Sequence, residues 1–205
     1  MLGNDVVDLA DPETRAGARH PRFDARVFTA AELAALRASA EPERLRWLLW
    51  AAKEAAYKAA RKDDPAVTFS PRAFAACLTS RDRATVRHGA RLFAVALDAD
   101  RERVHAVAAI EPGDASGARL AGCERIPLET QRDPGRAVRA LAIARVARLL
   151  GVAEAELAIV RDGRIPRLVR PGGAGVGDLS LAHHGRFVAF ACELPRASHG
   201  PWSVT

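Results

Sequence analysis

A run from Glu43 to Lys62 contains no proline, no glycine and no β-branched residue, so it can fold as little else than one long helix. At 3.6 residues per turn, Leu45, Leu48, Leu49, Ala52, Ala56 and Ala59 share one face, while Trp47, Trp50, Glu54, Lys58 and Arg61 gather on the opposite one. Two tryptophans do not suit a solvated face, so the second face is expected to be covered by something that tolerates a carboxylate and an ammonium. Glu54 and Lys58 stand four residues apart in the order that steadies an exposed helix by a few tenths of a kcal/mol. They read either as that surface pair or as part of a site.

Composition narrows the classes. With 205 residues and 49% hydrophobic content the chain can bury a core as one large domain or two small lobes. Its net charge of +6, carried almost wholly by arginine, favours an anionic partner: nucleic acid, a membrane surface, a nucleotide-like ligand or an acidic protein. Aromatic content of 5%, with no basic cluster interleaved with aromatics, argues against a nucleic-acid module. Cys77, Cys123 and Cys192 are odd in number and widely spaced, which fits neither a disulfide framework nor a zinc site. No apolar run approaches membrane-spanning length and the start has no signal-peptide pattern, so a soluble, cytoplasmic protein is expected.

Asp5-Val6-Val7-Asp8-Leu9 reads as a short strand whose aspartates are unusual for a strand. They serve either as turn formers or as ligands of a hard cation. Thr29-Ala30-Ala31-Glu32 is a capping box ahead of a helix from Ala30 to Ser39, and Pro42 suits the first turn of the long helix. Beyond Asp63-Asp64-Pro65, the segments Phe69 to Leu78, Arg91 to Leu97 and Val104 to Ile110 read as strands, the last two forming a hairpin. A linker is expected over 111–117. It separates a lobe at 1–112 from a second at 118–194, with a disordered tail at 195–205.

The second lobe is expected to hold a strand from Ala118 to Pro127 and a helix from Gly135 to Leu150 stopped by Gly151. A strand from Leu157 to Val160, a tight turn at Asp162 to Pro166, a glycine-rich loop at Pro171 to Gly177 and a strand hairpin or bend from Leu179 to Cys192 follow. The apolar set of its helix is Val138, Leu141, Ile143, Val146, Leu149 and Leu150. Arg136, Arg139, Arg145 and Arg148 stud the same helix and read as solubilising, or, for Arg139 and Arg148, as phosphate-directed. The expected fold is α+β: two pseudo-duplicated lobes, each a small antiparallel sheet packed with helices, with a site in the crevice between them.

Three stretches together resemble the phosphopantetheinyl transferases. Gly3-Asn4-Asp5-Val6-Val7-Asp8 is similar to their glycine-x-aspartate opening, and Trp50-Ala51-Ala52-Lys53-Glu54-Ala55-Ala56-Tyr57-Lys58 to their tryptophan-x-x-lysine-glutamate-alanine-x-x-lysine signature. The segment from Arg22-Phe23 to Glu32 resembles what the small holo-acyl-carrier-protein synthases place between the two. Arg139-Ala140-Leu141, Gly163-Arg164-Ile165-Pro166 and Leu181-Ala182-His183-His184-Gly185 resemble segments of the larger, two-lobed surfactin-type transferases, where they precede the glycine-x-aspartate opening. The chain therefore resembles a circular permutation of that form.

The resemblance implies Mg2+ held by Asp5 and Glu54, with Asp8 a direct or outer ligand. It implies Lys58 on the pyrophosphate of coenzyme A, Lys53 orienting the site or reaching phosphate, and Arg139, Gly163, Arg164, Pro166 and His183 at the nucleotide end. The pattern departs in two places: the residues flanking the histidine are Ala182 and His184 instead of serines, and Val7 replaces a second metal-site acid. The implied reaction is transfer of 4'-phosphopantetheine from coenzyme A to a serine of an acyl or peptidyl carrier protein, with Glu54, directly or through a water, as base. A monomer suffices for such a site, and fatty-acid, polyketide or peptide-synthase carriers remain equally open. Competing readings are a coenzyme A or carrier-binding homologue without transfer, a nucleic-acid-binding module, and a metal hydrolase built on His183-His184. Neighbouring strand residues point to opposite sides, which opposes the last.

Overall fold

The structure is a computed structural model that describes residues 1–111 and 118–195. The expected linker, apart from Glu111, and the expected tail, apart from Pro195, lie outside the described residues. The chain opens with β1 (Leu2–Asp8), then α1 (Phe23–Val27) and α2 (Ala30–Ala38). The Thr29 capping box forms as written, with Glu32 N–H donating to Thr29 Oγ1 and Thr29 N–H to Glu32 Oε2. The long helix is α3 (Pro42–Asp63), with proline in its first turn. Four strands complete the first sheet: β2 (Ala75–Leu78), β3 (Arg83–His88), β4 (Arg91–Ala99) and β5 (Arg103–Glu111).

The second half repeats the plan. It runs β6 (Ala118–Arg125), α4 (Pro134–Leu150), β7 (Ala158–Asp162), β8 (Ile165–Val169), β9 (Gly175–His184) and β10 (Phe187–Leu194). The two sheets have the orders β1-β5-β4-β3-β2 and β6-β10-β9-β8-β7, and every neighbouring pair is antiparallel. Each is therefore a strand, a helix and a four-strand meander whose last strand returns beside the first. This is the pseudo-duplicated α+β fold that the sequence pattern predicts.

Several boundaries differ from expectation. The strand expected from Phe69 is only Ala75–Leu78, because Pro71 opens a short 3-10 turn and Phe69 and Phe74 turn inward onto Tyr57. β3 was not anticipated, although Ala84 and Val86 alternate inward as a half-buried strand requires. The turn expected at Asp162 to Pro166 closes over Gly163-Arg164 alone, with Gly163 at φ +59°, and the rest becomes β8. On α4 the fully buried residues are Val138, Ala142, Val146 and Ala147, whereas Leu149 is half exposed.

One core lies beneath α3 and a second beneath α4. Gly3 explains how β1 joins the first: a Cβ there would stand 2.0 Å from the Ala55 carbonyl oxygen and 2.5 Å from the Ala59 nitrogen. Glycine on the strand and alanine at i and i+4 on the helix let two backbones touch. Since alternate strand residues share a face, the same geometry aims Asp5 at α3.

The other edge of β1 meets the second lobe. The N–H groups of Leu2, Asn4 and Asp8 donate to Asp178 Oδ2, Ser180 Oγ and His184 Nδ1 of β9, each 176 positions further along the chain. Lys62, nearly buried, donates 2.7 Å bonds to the Leu2 and Leu179 carbonyls and to Asp178 Oδ1. Side chains thus satisfy the strand edge that would otherwise be left unpaired. Ala182, the gap in this series, packs with Val6, Phe187 and Ala189.

Candidate active site

Three of the expected residues converge where β1 crosses α3. Lys58 Nζ lies 2.8 Å from Asp5 Oδ1 and 3.0 Å from the Asn4 carbonyl oxygen. Among the described residues Lys58 makes no ion pair with Glu54; its partner is on the strand. Burial pushes the Glu54 carboxyl up to about 7, the negative charge of Asp5 adds to the rise, and Lys58 opposes it. A carboxylate whose ionisation is made costly by burial and by a neighbouring carboxylate is what a bound hard cation relieves, so the donor set fits magnesium.

The nucleotide-end candidates face this point across the lobe boundary. One cavity of about 190 Å³ is lined by Tyr57, Lys58, Arg61, Arg164, Pro166 and Leu181 among others. A second of about 190 Å³, sharing Arg164, Pro166 and Leu181, adds Arg139, Arg161 and His183. Arg61, Arg139, Arg161 and Arg164, which line one or both cavities, have no acidic partner within ion-pair distance among the described residues. Burial, then the charges of Lys58, His184 and Arg139, lowers the His183 pKa; the ring is neutral near pH 7. The pair of cavities can hold a polyanion.

Three candidates are placed elsewhere. Lys53 is fully buried, and its three donors are taken by Glu32 Oε2 at 2.8 Å, Val27 O at 3.0 Å and Pro71 O at 3.1 Å. No donor remains for a phosphate. Asp8 is only 1% exposed; Oδ1 accepts from Ala10 N–H and Arg186 Nη2, and Oδ2 from Arg186 N–H and Nε. Burial alone would raise its pKa, but the Arg186 and Ala10 hydrogen bonds bring it down to about 2. An aspartate so fully engaged has no oxygen to offer a metal. Gly163 caps the β7–β8 turn in open space and lines neither cavity.

Gly185 accounts for the histidine-histidine-glycine stretch. A Cβ there would come 2.6 Å from Asp8 Oδ2, and φ is +51°, so only glycine lets the β9–β10 turn close over Asp8 and Asp11. His183 and His184 open on different cavities, as strand alternation requires. Asp11, Glu13 and His184 do bring ligand-type atoms within 4.8 Å of one another. However, His184 Nδ1 accepts the Asp8 N–H at 3.1 Å, which puts the ring proton on Nε2 and leaves no lone pair free for a cation. The largest cavity among those described, about 720 Å³ around Arg44, Leu45, Arg81 and Arg101, shares no lining residue with the crevice.

A family model described as the 4'-phosphopantetheinyl transferase superfamily matches residues 1–109, more than half of the 205. The chain belongs to the 4'-phosphopantetheinyl transferase superfamily. A search of curated proteins finds no match. The superfamily match spans β1, α3 and the first sheet, and so takes in Asp5, Glu54 and Lys58. Arg139, Arg164 and His183 lie beyond it and are brought to the same crevice by the fold.

Sequence reasoning overlooked Arg161, Lys62, Asp178 and Arg186. Arg161 had a local signal, being two residues before the Gly163 turn on a strand whose alternate side chains share a face. Lys62 and Asp178 had none, because their pairing spans 116 positions. No helix among the described residues is long and apolar enough to cross a membrane.

Proposed function

We propose that the protein is a magnesium-dependent enzyme that transfers the 4'-phosphopantetheine group of coenzyme A to a serine of an acyl or peptidyl carrier protein. The observation that carries the reading is that Lys58, paired with Asp5 whose charge also acts on Glu54, lines a cavity together with Arg61 and Arg164, next to a second cavity lined by Arg139, Arg161 and Arg164. A carboxylate pair beside a cationic cavity is suited to a phosphoanhydride whose reacting phosphorus sits at the carboxylates and whose nucleotide lies among the arginines.

Asp5 and Glu54 would hold the metal, which when bound offsets charge on the phosphate oxygens. The carrier serine Oγ forms a bond to the β-phosphorus as the bond from that phosphorus to the bridging oxygen of adenosine 3',5'-bisphosphate breaks. The electron pair leaves with the bisphosphate. Glu54, directly or through a water, takes the serine proton. Lys58, held beside the carboxylates by Asp5, would meet the charge growing on the leaving oxygen. Arg139, Arg161, Arg164 and neutral His183 orient the nucleotide. Lys53 acts only through the placement of α3.

The test is incubation with coenzyme A, magnesium and a panel of apo carrier proteins, read by intact mass. A mass gain on a carrier that EDTA and Glu54→Gln both prevent is expected. Coenzyme A binding without mass gain on any carrier would favour a non-transferring homologue, a reading to which the loss of Asp8 as a ligand lends some weight. Undiminished transfer by Glu54→Gln would refute the assignment of that residue.

A further inference from the structure

The chain has three lysines among its 31 basic residues, Lys53, Lys58 and Lys62, and all three leave α3. A lysine offers three donors from one point, where an arginine offers a planar fork. Lys53 and Lys62 each use all three on protein acceptors. Lys58 uses two, on the Asn4 carbonyl and on Asp5, and lines the cavity it shares with Arg61 and Arg164 with a donor to spare. A spare donor serves a reaction only if the ammonium that carries it is held in place.

Asn4 turns both backbone groups to the free edge of β1, its N–H to Ser180 Oγ at 2.9 Å and its C=O to Lys58 Nζ at 3.0 Å. Leu2 does the same one rung earlier, with Asp178 and Lys62. The two rungs differ in one respect. Lys62 is also bonded directly to β9, through Asp178 Oδ1 and the Leu179 carbonyl, so it is fixed whether or not β1 mediates. Lys58 has no bond to the second lobe among the described residues, and its link to β9 runs through Asn4 and Ser180. Ser180 is 2% exposed, yet burial of that face of β9 does not call for a hydroxyl: Ala182, two positions on, packs against Val6 without one.

We propose that Ser180 is a positioning residue for Lys58: by holding the Asn4 N–H across the lobe boundary, it fixes the carbonyl that, with Asp5, sets where the Lys58 ammonium stands beside the cationic cavity. The inference rests on the function proposed above in giving Lys58 a reaction to serve. Loss of the hydroxyl leaves a buried N–H without its acceptor, and the strand edge relieves this by shifting toward another partner. The other anchor of Lys58, Asp5, is the next residue of the same strand, so a shift at Asn4 carries both anchors with it. Lys62 keeps its bonds to β9 and stays. Misplacing a reacting group by about 1 Å can cost about a hundredfold in rate while binding contacts elsewhere persist.

The placement is tested without substrate and its consequence with it. In EDTA the folded parent and Ser180→Ala are treated with acetic anhydride, and acetylation of each of the three lysines is followed by peptide mass. The Lys58 side chain is 28% exposed and that of Lys62 6%, so Lys62 is the internal control. In Ser180→Ala, Lys58 is expected to react about threefold faster or more, with Lys62 unchanged. The kcat for transfer to a carrier should fall about tenfold, with the calorimetric Kd for coenzyme A within about twofold of the parent. Ser180→Thr, which keeps the hydroxyl, should match the parent in both measurements. Equal acceleration at Lys58 and Lys62, no acceleration at Lys58, an unchanged kcat in Ser180→Ala, or an equal loss in Ser180→Thr each overturns the inference. Absence of transfer by the parent on every carrier overturns the transferase reading instead, and the acetylation rates still decide whether Ser180 places Lys58.

Discussion

Glu54 is held at a cost that should be measurable without any substrate. Its carboxyl rises from an ordinary 4.5 to about 7, through burial first and the neighbouring Asp5 second. The folded protein therefore keeps a proton that the unfolded chain gives up, and between about pH 4.5 and 7 stability falls as pH rises; above 7 the full loss is present. A rise of that size corresponds to about 3 kcal/mol, and partial access of solvent to the carboxyl reduces it to about 2 kcal/mol. Glu54→Gln keeps the shape and removes the charge, so it should be the more stable protein by about 2 kcal/mol above pH 7 and nearly equal to the parent at about pH 5. Urea unfolding across this range, in EDTA, gives the comparison directly. Magnesium should then recover stability in the parent at high pH and do little for the variant, since one ligand is gone. Parallel pH profiles for the two proteins, or a variant less stable than the parent above pH 7, would refute the placement of Glu54 beside Asp5 in a poorly solvated site.

Other perturbations separate support from chemistry. Lys53→Met should cost about 3–5 kcal/mol in urea unfolding, because Glu32 is left as an uncompensated buried charge, and adding Glu32→Gln should restore part of it. Arg186→Met should cost about 3 kcal/mol at neutral pH by the same reasoning for Asp8. The parent's Asp8 contribution is present above the ordinary value of 3.8 and is lost as pH falls toward about 2, so an acid titration of stability should be shallower in the variant over that interval. Gly3→Ala should destabilise by about 3 kcal/mol or more, since its Cβ would meet the Ala55 carbonyl, and soluble yield and melting temperature report it.

What could be read from the sequence was local or periodic. Helix α3, the Thr29 capping box, the Asp133 and Gly151 ends of α4 and the β9–β10 hairpin all carry their signals within a few residues. The glycine-x-aspartate and lysine-glutamate stretches were legible as a pair, and their meeting follows from Gly3 lying flat on Ala55 and Ala59. Residue type alone could not separate the alternative roles implied for Lys53 and Asp8. Lysine and aspartate near a phosphate site invite a ligand role, but burial decides. Lys53 leaves α3 on the side where Val27, Glu32 and Pro71 present acceptors 26, 21 and 18 positions away, and Asp8 meets an arginine 178 positions away. Neither contact has a pattern in sequence. The face carrying Trp47 and Trp50 was rightly expected to be covered. Its cover is Phe23 and Phe69 of the same lobe, with His184 of the second lobe across the cavity.

The order of the two lobes along the chain matters less to the site than their contact does. Leu2, at the start of β1, packs with Ala191 of β10, and its N–H is held by Asp178, the strand partner of Glu193. The beginning of the first sheet and the end of the last strand thus lie side by side. A peptide link there, or one between β5 and β6, would join the lobes without moving Asp5, Glu54 and Lys58 relative to Arg139, Arg164 and His183. What fixes that relation is the run of β9 side chains on the edge of β1, with Lys62 and Arg186 at either end. A site assembled by such a lateral seam can be reached by either order of the same two halves, which is the physical condition for the permuted arrangement that the sequence resembles.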